Sequence, residues 1–251
     1  MKPSTITRWK RPDERNSFEN LSCLSRRVVG GLGVEEDASA DAGGRASARY
    51  ARPIPGLGER EHLANPSIDL DSHIEDVLNV IKYEDLRDIV LVGHSYGGMV
   101  ATGVADRARD KVKQLIYVDA FVPGDGQSLL DLNQAARAAD AGTGKVGGGW
   151  RVPPNPTPPD TSPADVEWLT ARRVDMPIKC FETRLKLTGG PLTLPRSYIY
   201  ATRITPADTF GPFARMTKGD PAWSYHEIDA SHSPNVTAPE ALMALLQKIA
   251  A

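Results

Sequence analysis

One serine among glycines gives the clearest chemical signal in the chain. Residues 93–98 read Gly-His-Ser-Tyr-Gly-Gly and follow the apolar run Val90–Val92. A strand, this turn and a following helix are typical of a nucleophile elbow, which exposes a serine hydroxyl at the carboxyl end of a strand. Glycines at such a turn remove side chains that would clash there. Ser95 is therefore predicted to be a nucleophile, and the N-terminus of the next helix can stabilise an oxyanion.

A serine hydroxyl is a poor nucleophile at neutral pH and needs a base that takes its proton. Of the five histidines, His232 lies in a Ser-His-Ser-Pro loop between a predicted strand that ends at Ile228 and the last predicted helix. This places His232 at the same sheet edge as Ser95, and it is predicted to be the base. Of the other histidines, His62 and His73 are expected to be surface or loop residues. His94 is expected to pack within the elbow, and His226 to be a half-buried structural residue of a strand.

Strands and helices alternate along residues 56–251. The predicted strands are Asp88–Val92, Val112–Val118, Ser197–Ala201 and Trp223–Ile228. One helix is predicted with Ser72 as its N-cap, a second follows Ser95, and the last covers Pro239–Ala250. This alternation predicts an α/β fold with a mostly parallel sheet and helices on both faces. Glycine and proline interrupt it at about 124–194, beside the strand end near the nucleophile. We predict a cap there, with a surface insertion as the alternative.

Composition narrows the classes of function. A chain of 251 residues suits one large domain, and a formal charge of −2 gives no reason to expect nucleic acid as a partner. No apolar run approaches the roughly 20 residues that span a bilayer. Cys23 and Cys180 lack metal-ligand companions, so we expect reduced thiols, a cytoplasmic location and no metal or cofactor. The oligomeric state is left open.

Four motifs together resemble the α/β-hydrolase superfamily. They are Gly-Leu-Gly-Glu-Arg over 56–60, the elbow over 93–98, Tyr-Val-Asp-Ala-Phe-Val-Pro over 117–123, and the late His232. More narrowly, they resemble the branch that holds plant hydroxynitrile lyases, methyl-salicylate-type esterases and small bacterial esterases. The resemblance covers residues 56–251. It implies a serine esterase that cleaves a small apolar carboxylic ester through an acyl-enzyme, with the N–H of Tyr96 in the oxyanion hole.

The resemblance leaves two candidates for the acid of the triad. The acid orients the imidazole of the base and stabilises its charged form. In the plant members its position corresponds to Ile204, which cannot serve. Asp119 ends the strand after the nucleophile helix, and Asp208 lies four residues beyond the usual position. We predict Asp119, because a strand end holds a side chain more firmly than a proline-containing loop. A purely turn-forming role for Asp119 is the alternative.

Two other functions compete with ester hydrolysis. The first is a non-catalytic or decayed fold that binds a small hydrophobic ligand. The second is a hydroxynitrile lyase, which the resemblance disfavours because those lyases carry lysine where this chain has Ser233. Four apolar side chains of the cap are expected to line a substrate pocket or to pack the cap onto the sheet: Trp150, Trp168, Phe181 and Leu187.

Residues 1–55 do not fit the family pattern, and we expect them to be poorly ordered. Members of the family begin with a buried strand and a His-Gly-Ala-Trp-like loop that supplies the second oxyanion donor, yet no such strand or loop is readable here. Reading the codons of residues 25–36 one base later permits that loop, so we hypothesise a frameshift over about 20–55, with a genuine, unrelated extension as the alternative. Activity is then expected to be impaired and a sheet edge exposed. A coding DNA whose shifted frame does not spell the loop refutes the hypothesis.

Overall fold

A computed structural model of the chain describes residues 21–25, 47–50, 54–133, 148–204 and 207–250. Its strands are β1 (Leu21–Ser25), β2 (Ser47–Tyr50), β3 (Ile89–Ser95), β4 (Val112–Ala120), β5 (Arg151–Val152), β6 (Met176–Pro177), β7 (Arg196–Ala201) and β8 (Trp223–Ile228). The α-helices are α1 (Leu70–Tyr83), α2 (Gly97–Arg107), α3 (Leu129–Leu132), α4 (Pro163–Thr170), α5 (Lys179–Glu182), α6 (Gly211–Lys218), α7 (Pro234–Thr237) and α8 (Pro239–Ala250). A 3₁₀ helix covers Gly58–Leu63.

Six of the described strands form the main sheet, in the order β2-β1-β3-β4-β7-β8. The neighbours β3, β4, β7 and β8 pair in parallel, so their carboxyl ends meet at one edge. Helices connect them, as they must between parallel strands. The predicted α/β fold with a mostly parallel sheet is thus confirmed.

Strands β3, β4 and β7 are largely buried on both faces, which explains their apolar runs. Along β3, Ile89 and Leu91 join the larger apolar cluster, with α1 and α2. Val90 and Val92 point the other way, into a second cluster with Leu242 of α8. The alternation in β3 therefore fixes one helical layer on each side of the strand that carries Ser95.

The N-cap of helix α1 lies three residues earlier than the sequence predicts. The N-cap is Asp69, whose carboxylate accepts the N–H of Ser72 at 2.9 Å. Ser72 is the third helical residue, and its hydroxyl completes the capping box by accepting the N–H of Asp69. The prediction of Ser72 as the N-cap is therefore wrong, because an acidic side chain three residues upstream takes that role.

The cap at about 124–194 contributes α3, α4, α5 and the β5–β6 ribbon in its described part. Its return segment is tied to α2 by the buried Asp106, whose carboxylate accepts the N–H groups of Thr188 at 2.8 Å and Gly189 at 3.1 Å. Arg109 donates both to this carboxylate and to the carbonyl oxygen of Gly190, each at 2.6 Å. These contacts anchor the segment beside the helix that follows Ser95, and its role as a cap over the site stays a prediction.

Two strands precede residue 55, where the sequence gives no strand. β1 pairs antiparallel with β2 on one side and with β3 on the other, with Cys23 opposite Leu91. The expectation that a lost strand leaves a sheet edge exposed does not hold at β3, because β1 pairs with it. The predicted disorder of residues 1–55 and the hypothesised frameshift fall largely outside the described residues.

Candidate active site

Ser95 ends β3 in a conformation that few side chains adopt. Its φ is +54°, and α2 begins two residues later at Gly97. A Cβ at Gly93 would lie 2.6 Å from the carbonyl oxygen of Gly97, and a Cβ at Gly98 would overlap the carbonyl oxygen of Phe121. The glycines therefore let α2 approach both β3 and the chain after β4. The sharp turn presents the Ser95 hydroxyl at the carboxyl edge of the sheet, as the motif predicts.

His232 lies within hydrogen-bonding distance of that hydroxyl. Its Nε2 is 3.0 Å from Ser95 Oγ, although 137 residues separate the two in the chain. The loop after β8 delivers the imidazole to the sheet edge, just before α7. Of the predicted residues, the structure thus brings Ser95 and His232 together.

Asp119 completes the chain of hydrogen bonds. Its Oδ2 lies 2.7 Å from Nδ1 of His232, and its Oδ1 accepts the N–H of Ala201 at 3.3 Å. In the β3–β4 ladder, His94 pairs with Val118 whereas Ser95 pairs with Ala120, so Asp119 is an extra residue with φ of +42°. Such a bulge redirects a side chain out of the alternating pattern. The carboxylate is thereby aimed along the sheet edge at His232.

The carboxylate of Asp119 is buried, at 4% exposure. Burial raises its pKa above the usual range, and the hydrogen bond from His232 opposes that rise. A carboxylate that accepts Nδ1–H fixes the imidazole in the tautomer whose Nε2 can take a proton from Ser95. The arrangement can therefore activate a serine hydroxyl.

The second candidate acid, Asp208, has other partners. Its Oδ1 accepts the N–H of Gly211 at 2.6 Å and the hydroxyl of Tyr200 at 2.9 Å, at the start of α6. Arg215 lies 3.7 Å away. Ile204, at the position that the resemblance assigns to the acid, is exposed. The structure thus brings Asp119, and neither of the other two positions, into contact with His232.

Two aromatic rings that the sequence did not connect to the site enclose His232. Phe210 stacks on its imidazole with ring centroids 4.6 Å apart and an angle of 9°. The ring centroids of His94 and His232 lie 4.8 Å apart. Nε2 of His94 donates to the carbonyl oxygen of His232 at 2.6 Å. His94 was expected only to pack. Its position beside Ser95 at a strand end was the available signal, because the loop that carries His232 ends at that same edge.

Tyr96, the predicted oxyanion donor, occupies the N-cap position of α2 with helical backbone angles. Its backbone N–H therefore stands at the helix N-terminus, next to Ser95. The side chain is 4% exposed and meets Phe181 of α5, with ring centroids 6.2 Å apart. Phe181 and Leu187 pack against the main apolar cluster. Trp150 and Trp168 instead carry the guanidinium groups of Arg151 and Arg172 on their rings.

Among the described residues, no cluster of His, Cys, Asp and Glu is arranged to hold a metal ion. Cys180 is a buried free thiol. In the same part of the chain, no helix has the length and apolar character needed to cross a bilayer.

The chain is similar in sequence to known proteins. The sequence pattern of the alpha/beta hydrolase family matches residues 38–245. A carbendazim hydrolyzing esterase of Nocardioides sp. (strain SG-4G) is 37% identical over 198 residues, which cover 74% of this chain and 81% of that protein. The family match begins upstream of residue 56, where the recognisable motifs start.

Solved structures show the same fold. An extracellular alpha/beta-hydrolase from a Paenibacillus species, described as sharing structural and functional homology with tobacco salicylic acid binding protein 2, has a TM-score of 0.63 and 25% identity. That match covers 80% of this chain and 86% of the other. A methylesterase from Arabidopsis has a TM-score of 0.62 at 20% identity, over 81% of this chain and 85% of its own. The resemblance seen in the motifs is thus confirmed.

Proposed function

Since the chain belongs to the alpha/beta hydrolase family, we propose that it is a serine esterase that cleaves small apolar carboxylic esters through an acyl-enzyme on Ser95. The observation that carries this proposal is the hydrogen-bonded chain from Ser95 through His232 to Asp119, with distances of 3.0 and 2.7 Å. The similarity to a carbendazim hydrolyzing esterase supports the reaction class.

The reaction has two steps that share the same groups. Ser95 Oγ attacks the ester carbonyl while Nε2 of His232 takes the hydroxyl proton, and Asp119 stabilises the resulting imidazolium. The N–H of Tyr96, at the N-terminus of α2, faces the negative charge of the tetrahedral oxygen. Collapse breaks the bond to the alcohol, which leaves with the proton from His232. Water then attacks the acyl-enzyme while His232 takes a proton from it. The bond between the acyl carbon and Oγ breaks, His232 returns the proton to Ser95, and the carboxylic acid is released.

The surroundings of Ser95 favour an apolar substrate. Phe181 lies beside Tyr96. Tyr96 belongs to the main apolar cluster, and Phe181 packs against that cluster. Apolar walls with a few convergent polar groups are typical of small-molecule sites. We therefore propose small apolar carboxylic esters as substrates. Carbendazim, which is a methyl carbamate, is a further compound to test because of the Nocardioides relative.

A fluorophosphonate probe tests the proposal, because it reacts with an activated serine even where turnover is slow. We expect the wild-type protein and Ser67→Ala, which changes an exposed serine, to be labelled. Ser95→Ala should lose the label. Folded wild-type protein that takes up no label would refute the esterase proposal and favour a non-catalytic ligand-binding fold. Release of cyanide from a cyanohydrin, dependent on Ser95, would instead indicate a lyase.

A further inference from the structure

A buried histidine outside the proposed reaction contacts the elbow. His73 lies in α1 and is fully buried, so the expectation of a surface or loop residue is wrong. Its Nδ1 lies 2.9 Å from the phenolic oxygen of Tyr96, and its Nε2 lies 3.1 Å from the carbonyl oxygen of Pro55. The imidazole therefore bridges the loop before α1 and the residue that directly follows Ser95.

The partners of His73 fix its tautomer. The carbonyl oxygen of Pro55 can only accept, so the proton of the neutral ring is on Nε2. Nδ1 then has a lone pair and accepts the hydroxyl proton of Tyr96. Burial lowers the pKa of His73 to about 4, which keeps the ring neutral at neutral pH. The hydroxyl of Tyr96 thus has a directional acceptor in Nδ1 of His73, and the buried thiol of Cys180 is a second polar group beside it, with its Sγ 3.9 Å from Nε2 of His73.

The Tyr96 side chain is held on two further sides. Its ring meets the edge of the His73 ring at 5.8 Å and 78°, and it faces Phe181 of the cap at 6.2 Å. The residue before it, Ser95, has a strained φ of +54°. A strained turn keeps its geometry only where its surroundings impose it. A fixed Tyr96 side chain restrains the peptide plane that joins it to Ser95.

We infer that His73 is a positioning residue for ester hydrolysis: by accepting the phenolic hydrogen of Tyr96, it holds the backbone N–H of Tyr96 in the oxyanion hole. The inference rests on the proposed function, in which that N–H faces the tetrahedral oxygen. It assigns no chemical step to His73, which stays neutral and keeps its proton throughout.

Three variants separate this role from simple packing. Tyr96→Phe removes only the hydroxyl. His73→Gln places its amide near the Nε2 position, so it keeps a donor for Pro55 and loses the acceptor for Tyr96. His73→Asn keeps the acceptor for Tyr96, because its amide oxygen lies near the Nδ1 position, and it loses the donor for Pro55. As a matched control, Tyr117→Phe removes another buried hydroxyl, which contacts Thr102 at 2.7 Å.

The assay is hydrolysis of p-nitrophenyl acetate, with rates measured well below the melting temperature of each variant. Loss of one oxyanion donor lowers rates by about 10²–10³, and a misaligned donor should lower kcat by about tenfold. We expect that fall, at unchanged KM, in Tyr96→Phe and His73→Gln. A boronic acid that forms a tetrahedral adduct should lose affinity in parallel. His73→Asn should retain most of the rate, and Tyr117→Phe should lose stability with its kcat unchanged.

The double variant His73→Gln/Tyr96→Phe gives the sharpest result. If His73 acts through the Tyr96 hydroxyl, the double variant should be no slower than either single one. Additive losses, or an unchanged kcat in Tyr96→Phe, would overturn the inference while fluorophosphonate labelling of Ser95 stands. A wild-type protein that is not labelled would overturn the proposed function and this inference together. If His73→Gln does not fold, Tyr96→Phe against Tyr117→Phe decides.

Discussion

Replacing Asp119 by Asn should reverse the tautomer of His232. The N–H of Ala201 donates to Oδ1 of Asp119 at 3.3 Å, so an amide at this position keeps its oxygen toward Ala201. Its NH₂ group then faces Nδ1 of His232, where the carboxylate oxygen lies at 2.7 Å. Nδ1 must accept, the ring proton moves to Nε2, and Nε2 can no longer take the proton of Ser95.

The expected loss is large because the geometry is otherwise preserved. An acid-to-amide change at the equivalent position of a serine protease lowers kcat by about 10⁴. The same factor here corresponds to about 5.4 kcal/mol of transition-state stabilisation. Since the buried carboxylate is replaced by an isosteric neutral group, unfolding should not account for the loss.

Ester hydrolysis by Asp119→Asn and Asp208→Asn, measured beside their thermal unfolding, checks this reasoning. Asp208 is exposed and holds the start of α6, so its amide variant should keep kcat within about twofold of the wild type. A folded Asp119→Asn protein with nearly full activity would refute the role of Asp119. A loss confined to Asp208→Asn would move the acid to the other candidate position.

Two further predictions concern the framework of the site. Gly98→Ala would force a Cβ onto the carbonyl oxygen of Phe121. It should therefore lower the free energy of unfolding, measured by urea denaturation, by about 3 kcal/mol and abolish activity in the ester assay. Because His73 has a pKa of about 4 in the folded protein, below its usual 6.5, the unfolded chain binds this proton first as the pH falls. The free energy of unfolding should therefore drop by up to about 3 kcal/mol between pH 6.5 and pH 4, and stay level above 6.5, whereas His73→Asn should lack this drop.

Each of these predictions has its own control. Gly219→Ala changes a helix-terminal glycine whose added Cβ meets only an ordinary contact of 3.5 Å, and it should be tolerated. Equal destabilisation by both alanines would contradict the steric argument. For the pH prediction, wild-type and His73→Asn unfolding curves that run parallel between pH 4 and 6.5 would show that His73 does not titrate as proposed.

The parts of the fold with a strong apolar pattern were predictable from the sequence. β8 (Trp223–Ile228) and α8 (Pro239–Ala250) have the predicted bounds. β3 runs on to Ser95 beyond the predicted Val92, because pairing with β4 continues past the glycine that ends its apolar run. β1 and β2 were missed, since they are only five and four residues long and their pairing with distant parts of the chain gives no local signal.

The site was predictable as far as sequence order and strand ends determine it. Ser95 and His232 follow from the turn motif and from a loop at the same sheet edge. Asp119 needed the resemblance, since the bulge that aims it at His232 arises from pairing between β3 and β4. The contacts of His73 with Tyr96 and of Phe210 with His232 join distant segments, so no sequence period could reveal them.

An acyl-enzyme on Ser95 is the intermediate that defines the proposed reaction. Protein mixed with p-nitrophenyl acetate and quenched with acid in the first turnover is analysed by intact mass and then by peptide mapping. We predict a burst of nitrophenol and one added acetyl group on the peptide that contains Ser95, both absent in Ser95→Ala. Hydrolysis that proceeds equally in Ser95→Ala, or an acetyl group that forms only on another residue, would show that Ser95 is not the nucleophile.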